Sequence, residues 1–305
     1  MSAKIYEVVT DRIIDILEKG VIPWRKPWSA SQVLAKNMVS GKEYRGCNFM
    51  LTNCQGYESP FWGTYKQIEA RGGQVKKGSK GTPIIFWSLL KYKDKEKEGK
   101  EKSVPLLKMS FVFNADQCDG LDFGKPEGVI REHTPIEECE RILGNVPLGF
   151  SEVRHCEARA FYNPRLDYIN MPRVELFKTS EEYYHTRFHE SVHATGHKDR
   201  LGREGVEGVS HFGDSVYSFE ELVAELGASY LSAKAGIGSV VVENSAAYIN
   251  GWLSVLRKDS KFLVKASGAA QKACKYILNE KEVESGDGES ESGETENKVN
   301  EGVSE

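Results

Sequence analysis

His189-Glu190-Ser191-Val192-His193 is the stretch from which the fold of this 305-residue chain is read. Histidines four apart on an α-helix lie on one face, one turn from each other. A helix running from Ser180 to about Gly196 therefore places both imidazoles where they can share one ion. Glu190 follows the first histidine, where its carboxylate can act as a base on a water at that ion. The pentapeptide also arises by chance on helices with two exposed histidines, so its surroundings decide. A catalytic zinc needs a third protein ligand and one open position. The segment Ser218-Phe219-Glu220-Glu221-Leu222-Val223-Ala224-Glu225-Leu226 opens a second helix, to about Ala235, with acids beside an apolar stripe. Glu221 is the expected third ligand, and Glu225, one turn on, the expected orienting partner of a histidine. Asp199 competes, because His189 to Asp199 also fits a pattern in which Gly196 bends the chain back to the ion. Glu220 and Glu225 remain as alternatives. His197 reads as a loop residue, and His185 as a surface or supporting one. Residues 167–172 are expected to be the edge strand beside which a peptide adds.

Working outward, the chain reads as α+β, with a small mixed DNA-binding domain followed by a zincin-like metallopeptidase domain. The expected boundaries are 1–125 and 126–280, with a disordered acidic tail over 281–305. Residues 1–125 hold 21 Lys+Arg and 14 Asp+Glu, a net of +7, and the remainder hold 20 and 31, a net of −11. Such asymmetry suggests two different tasks. From Glu280 onward there are ten acids, two lysines and almost no apolar residues, too few to build a core. No long apolar run exists, so neither a signal peptide nor a membrane span is expected, and the protein reads as cytoplasmic. Six cysteines without CxxC spacing read as reduced thiols.

Periodicity predicts a helix over Tyr6 to Glu18 stopped by Gly20, a short helix over 64–71, and strands at Ile84–Trp87 and Leu107–Phe113. The charge run Lys91–Lys102 reads as a hairpin tip or loop, and 120–133 as the linker. Further helices are expected at Thr134–Leu143, 243–258 and 267–279, and a strand at Tyr168–Pro172. Trp24, Arg25, Lys26 and Trp28 form an aromatic-basic loop. With Arg45, Lys76, Lys77 and Lys80 they are the candidate DNA contacts. Single-strand binders pair basic grooves with aromatic platforms, although many such aromatics serve only the core. Phe86 and Trp87, adjacent on a strand, are expected on opposite sides, so not both outward.

The chain resembles the ArdC-type antirestriction proteins of plasmids and phages. The resemblance is carried by Tyr6–Trp28, Ser40–Asn48, Thr64–Gly81, Phe111–Leu121, Tyr162–Arg200 and Tyr217–Leu231, in that order. The acidic tail and the Lys91–Lys102 run stand outside it. It implies an N-terminal single-stranded-DNA-binding domain coupled to a zincin-like metallopeptidase, with the third ligand on the Glu220–Glu225 helix.

Three functions are open at this stage. One is a zinc peptidase tethered to single-stranded DNA, which shields mobile DNA from restriction and acts on an unidentified peptide or protein. A second is a DNA-coating protein whose zinc is only structural. A third is a regulatory peptidase that cleaves one repressor. Glu190 favours an enzyme, because a structural zinc needs no base.

Overall fold

The computed structural model describes residues 2–23, 34–93, 101–121, 123, 135–207, 215–237 and 246–280. The Trp24–Trp28 loop, the tip 94–100, most of the linker, Thr134 and the acidic tail lie outside the described residues.

The first half begins with α1 (Ser2–Glu18). Val9, Ile13 and Leu17 recur every four residues and are fully buried, contributing about 1.5–3 kcal/mol each. Gly20, at φ 76°, ends the helix in the left-handed region open to glycine. β1 (Lys36–Asn37), α2 (Cys47–Asn53) and β2 (Phe61–Thr64) follow. α3 (Tyr65–Ala70) is opened by a capping box between Thr64 and Gln67. Next come β3 (Gln74–Val75), β4 (Thr82–Lys93), β5 (Glu101–Asn114) and β6 (Cys118–Asp119). One sheet has the order β1-β2-β5-β4, and β3 pairs with β6. β4 and β5 pair from Thr82↔Val112 to Lys93↔Glu101, whereas β2 pairs only with residues 112–114 of β5. The ribbon thus outruns the sheet, and this corrects the reading of its aromatics. Phe86 is 38% and Trp87 60% exposed, since neither face is wholly covered at that level.

The second half contains α4 (Pro135–Gly144), β7 (Glu152–Arg154), β8 (Phe161–Asn163) and β9 (Tyr168–Asn170). It continues with α5 (Ser180–Thr195), the single turn α6 (Glu204–Glu207), α7 (Ser215–Ala235), α8 (Ala246–Lys258) and α9 (Phe262–Ile277). The sheet order is β7-β9-β8. β9 is therefore central, parallel to β7 and antiparallel to β8. The edge strands are β7 and β8 and not residues 167–172. β9 carries buried Ile169 and Asn170, which a middle strand demands, and Ile169 packs with Met171 against Ala194 of α5.

The two halves share one hydrophobic core. α1 packs on β5 and α8, and α2 packs on β4 and α9. Phe49 of α2 meets Tyr230 of α7 edge to face, with centroids 5.3 Å apart. The Thr10 hydroxyl donates to the carbonyl of Ser260 at 2.7 Å. Among the described residues no helix is long and apolar enough to cross a membrane.

α5 and α7 approach closely because Gly227 has no side chain. A Cβ there would lie 2.6 Å from Cγ2 of Val192. Gly251 of α8, by contrast, has open space around its missing Cβ. Gly227→Ala should lower stability by about 1–3 kcal/mol through overpacking. Gly251→Ala should raise it by about 0.5–1 kcal/mol, because glycine is the poorer helix former. Urea unfolding of both variants checks the opposite signs.

Candidate metal centre

α5 supplies His189, Glu190 and His193, and α7 supplies Glu220 and Glu221. Thr179 caps α5 by accepting from the Glu182 amide, and Gly196 follows its last turn. The two Nε2 atoms of His189 and His193 lie 3.1 Å apart. Oε2 of Glu221 is 3.6 Å from Nε2 of His189, and its Oε1 is 3.5 Å from Nε2 of His193. Donors about 2.0–2.1 Å from a tetrahedral ion stand about 3.3 Å apart, so this spacing fits a divalent cation. Among the described residues, these three form the one cluster of its kind.

The carboxylate on Nδ1 of His193 is Glu220, at 3.1 Å, in the role expected of Glu225. Glu225 is buried on α7 outside the cluster. Residues 220 and 221 are adjacent, yet α7 crosses α5 so that one meets each side of the His193 ring. Glu220 is almost wholly buried, and Arg203 compensates its charge. The guanidinium donates to Oε2 at 2.8 Å and to Oε1 at 2.7 Å. Arg203 also donates to the Val192 carbonyl and to Oγ1 of Thr195, clamping the end of α5.

Burial opposes a charge on His193, but Glu220 and Glu221 outweigh it and raise its pKa to about 10. For Glu221, burial favours the neutral acid, and hydrogen bonds from His189 and His193 reverse that and hold it well below the usual carboxylate range. The field that favours a proton here favours a divalent cation equally.

Asp199 is not in the cluster. The chain turns tightly after Gly196, with the amides of Arg200 and Gly202 donating to the His197 carbonyl. Asp199 is 76% exposed, beside His197 at 3.6 Å. His185 approaches Oγ of Ser232 at 3.0 Å, away from the cluster.

A cleft of about 410 Å³ opens over the centre. Glu190, His189, His193 and Glu221 line it on one side, and Ala160, Phe161 and Tyr162 on the other. Edge strand β8 thus faces the metal helix. Their spacing is fixed by Arg200, whose Nε donates to the Ala194 carbonyl at 2.7 Å while its guanidinium reaches Asp167 and Tyr162. Asp167 also accepts from Ser151 at 2.6 Å and from Tyr162 at 2.8 Å, in a left-handed conformation at φ 47°. Sequence reasoning weighed Glu220 only as an alternative ligand, and it missed Arg200 and Arg203. Only the path of the loop after α5 reveals the arginines, and no periodicity encodes that path.

The candidate DNA contacts are scattered. Lys76, Lys77 and Lys80 are exposed. Arg45 forms a bidentate pair with Glu280 at 2.6 and 3.2 Å. Trp24, Arg25, Lys26 and Trp28 lie outside the described residues. Trp62 and Tyr44 belong to the core, whereas Tyr65 is 53% exposed. None of the six cysteines forms a disulfide.

A three-stranded sheet over a helix bearing two histidines, with a glutamate from a neighbouring helix, defines a zincin-like metallopeptidase fold. Residues 138–269 match the model of the zincin-like metallopeptidases, and residues 3–113 that of the N-terminal domain of anti-restriction factor ArdC. The crystal structure of antirestriction protein ArdC from plasmid R388, metal-free, is 36% identical and superposes with a TM-score of 0.72 over 90% of this chain and 96% of that one. Its Mn(II)-bound structure gives 0.68, over 90% and 97%. The chain belongs to the ArdC antirestriction family. An uncharacterized Sinorhizobium fredii protein, y4eC, is 31% identical over 90% of this chain and 91% of its own length. The Escherichia coli DNA primase TraC is 35% identical over 90% of this chain, which spans only 27% of that protein.

The Asp167 cluster has a pH consequence. Burial alone would raise the Asp167 pKa, but hydrogen bonds from Arg200, Ser151 and Tyr162 hold it well below the ordinary range. A lowered folded pKa gives stability present above the unfolded value of about 3.9 and lost as pH falls through the folded one. Thermal unfolding from roughly pH 5 to pH 2 should show this loss, and Asp167→Asn should flatten it while lowering stability at neutral pH.

Proposed function

We propose that this chain is an antirestriction-type protein that binds single-stranded DNA through its basic first half and carries a zinc-dependent peptidase site in its second. The observation that supports it most is the convergence of His189, His193 and Glu221, with Glu190 beside them in an open cleft. Two imidazoles and one carboxylate suit zinc. The R388 relative has an Mn(II)-bound structure, so divalent-ion binding has precedent in the family. A purely structural zinc takes four protein ligands and stays closed. Three donors and a cleft favour an enzyme.

Zinc, when bound by His189, His193 and Glu221, would supply a Lewis acid for hydrolysis. Glu190 does the proton work: its carboxylate takes a proton from the attacking water and passes it to the leaving amine nitrogen. Glu220, held by Arg203, fixes the His193 ring and directs Nε2 towards the centre. A peptide would lie as an added strand along β8, Phe161–Asn163, opposite Glu190. Exposed Lys77 and Lys80 and half-exposed Tyr65 and Trp87 supply the charge and ring faces that single-strand binding uses.

Metal content should follow the cluster. The purified protein should hold about one zinc per chain, and His189→Ala or His193→Ala should lose it. Glu221→Ala should weaken binding far more than Asp199→Ala. Elemental analysis that finds the metal gone in Asp199→Ala and kept in Glu221→Ala would sink the assignment.

Glu190→Gln should keep zinc and fold, yet lower peptide cleavage by about 10²–10⁴-fold, the range of general acid–base catalysis. DNA binding should persist. Cleavage profiling of a peptide library with and without single-stranded DNA reads this out. Zinc-loaded wild-type protein that cuts nothing under either condition defeats the peptidase reading.

A further inference from the structure

One cation of the first half already has an acidic partner from the end of the second. Arg45 sits in the Ser40–Asn48 loop, and its guanidinium is held by both carboxylate oxygens of Glu280. The geometry is the fork that arginine offers to a phosphate. Both side chains keep 31% of their surface, so the pair stands at the protein boundary. Hydrogen bonding to Glu280 raises the Arg45 pKa despite partial burial. Glu280 lies just beyond α9, whose end is fixed against the second half by Asn145, donating to the Leu278 carbonyl at 3.0 Å. The chain therefore leaves the folded body beside the basic half.

Glu280 opens the acidic run. Residues 281–305 hold nine acids and two lysines, a net of −7, against a net of +7 over residues 1–125. Twenty-five residues span at most about 80–90 Å, several times the ~14 Å radius of gyration of a 125-residue body. Any basic group of the first half is within reach from Arg45. Carboxylates every second or third residue, as in Glu289, Glu291, Glu294 and Glu296, present a repeating anion of the kind that lysines meet along a nucleic-acid backbone.

We infer that the acidic segment 281–305, entering at the Glu280–Arg45 pair, competes with single-stranded DNA for the basic surface of the first half. This rests on the DNA-binding reading above. The segment acts as a polyanion in cis, so weak or short strands are excluded and long strands, which engage more cations at once, displace it.

Fluorescence anisotropy with a labelled oligothymidylate tests it on the full chain, on the chain lacking 281–305, and on a full-length variant with the nine acids changed to their amides. Both altered proteins should bind on the order of ten-fold more tightly than the full chain at low salt, a few ion pairs' worth. The gain should fade at high salt, where the competition is screened. Glu280→Gln should give part of the gain. Equal affinity of all proteins at every salt overturns the inference and leaves DNA binding intact. A gain in the truncated chain without one in the amide variant also overturns it, because bulk and not charge then acts. No binding by any of them overturns both readings together.

Discussion

Burying charge is expensive, and the helix crossing at the metal centre buries a great deal of it. Glu190, Glu220, Glu221 and His193 are crowded where α5 meets α7. An isolated carboxylate in such a place would take up a proton instead of staying charged. What keeps the arrangement ionised is Arg203, which arrives from outside both helices. Its two bonds to Glu220 compensate the most buried acid, and Glu220 in turn orders the His193 ring. The remaining charge of Glu221 faces two imidazoles across 3.5 and 3.6 Å. Gly227 makes this possible at the level of packing, because any larger residue would hold α7 away from Val192. Electrostatics and packing are thus one constraint: the helices approach because glycine permits it, and the approach persists because an arginine neutralises what it buries.

The same logic places the cleft opposite Glu190. Arg200 grips the end of α5 through the Ala194 carbonyl and the sheet through Asp167. Two arginines of one short loop therefore set both walls of the site. Arg203 fixes α7, and Arg200 fixes the sheet that carries β8. A left-handed Asp167 is a small conformational cost, offset by the three side chains it brings together, Ser151, Tyr162 and Arg200.

Much of this was legible in the sequence, and the exceptions have physical causes. Helical periodicity located α1, which buries a stripe that repeats with the turn. α5 was legible from its paired histidines and acidic first turn, and α7, buried on all sides from Leu222 to Ala233, from its apolar run beside the acids. His189 and His193 converge because four-residue spacing is a property of the helix itself. The choice of Glu220 over Glu225 was not legible. Which acid meets a given ring depends on the crossing angle of two helices, and that angle is set by Gly227 and Val192, which lie far from both acids in composition arguments. Strand β8 escaped because three residues after a polar loop carry no alternation. Its neighbour β9 was taken for the edge because its apolar run was the visible one. Phe86 and Trp87 were misjudged because alternation presumes a covered face, and a ribbon that outruns its sheet covers neither side fully.

The shared core bears on why the two family segments travel together. In ArdC of R388 and in y4eC the match spans nearly the whole relative, whereas in TraC it is a minor part of a longer chain. In all of them it covers 90% of this chain, so the segments recur as a pair. α1 buries Val9, Ile13 and Leu17 between β5 and α8, and α2 buries Phe49, Met50 and Leu51 against β4 and α9. The faces that α1 turns to α8 and α2 turns to α9 are packed across the halves, and separating the halves would expose them on both pieces. The first half and the zincin-like site are therefore joined by packing before any functional coupling is considered, through α8 and α9 and also through α7. Glu220 and Glu221 lie towards its start, and Tyr230 and Lys234 lie towards its end, the latter two reaching Glu43 of the first half at 3.4 Å each.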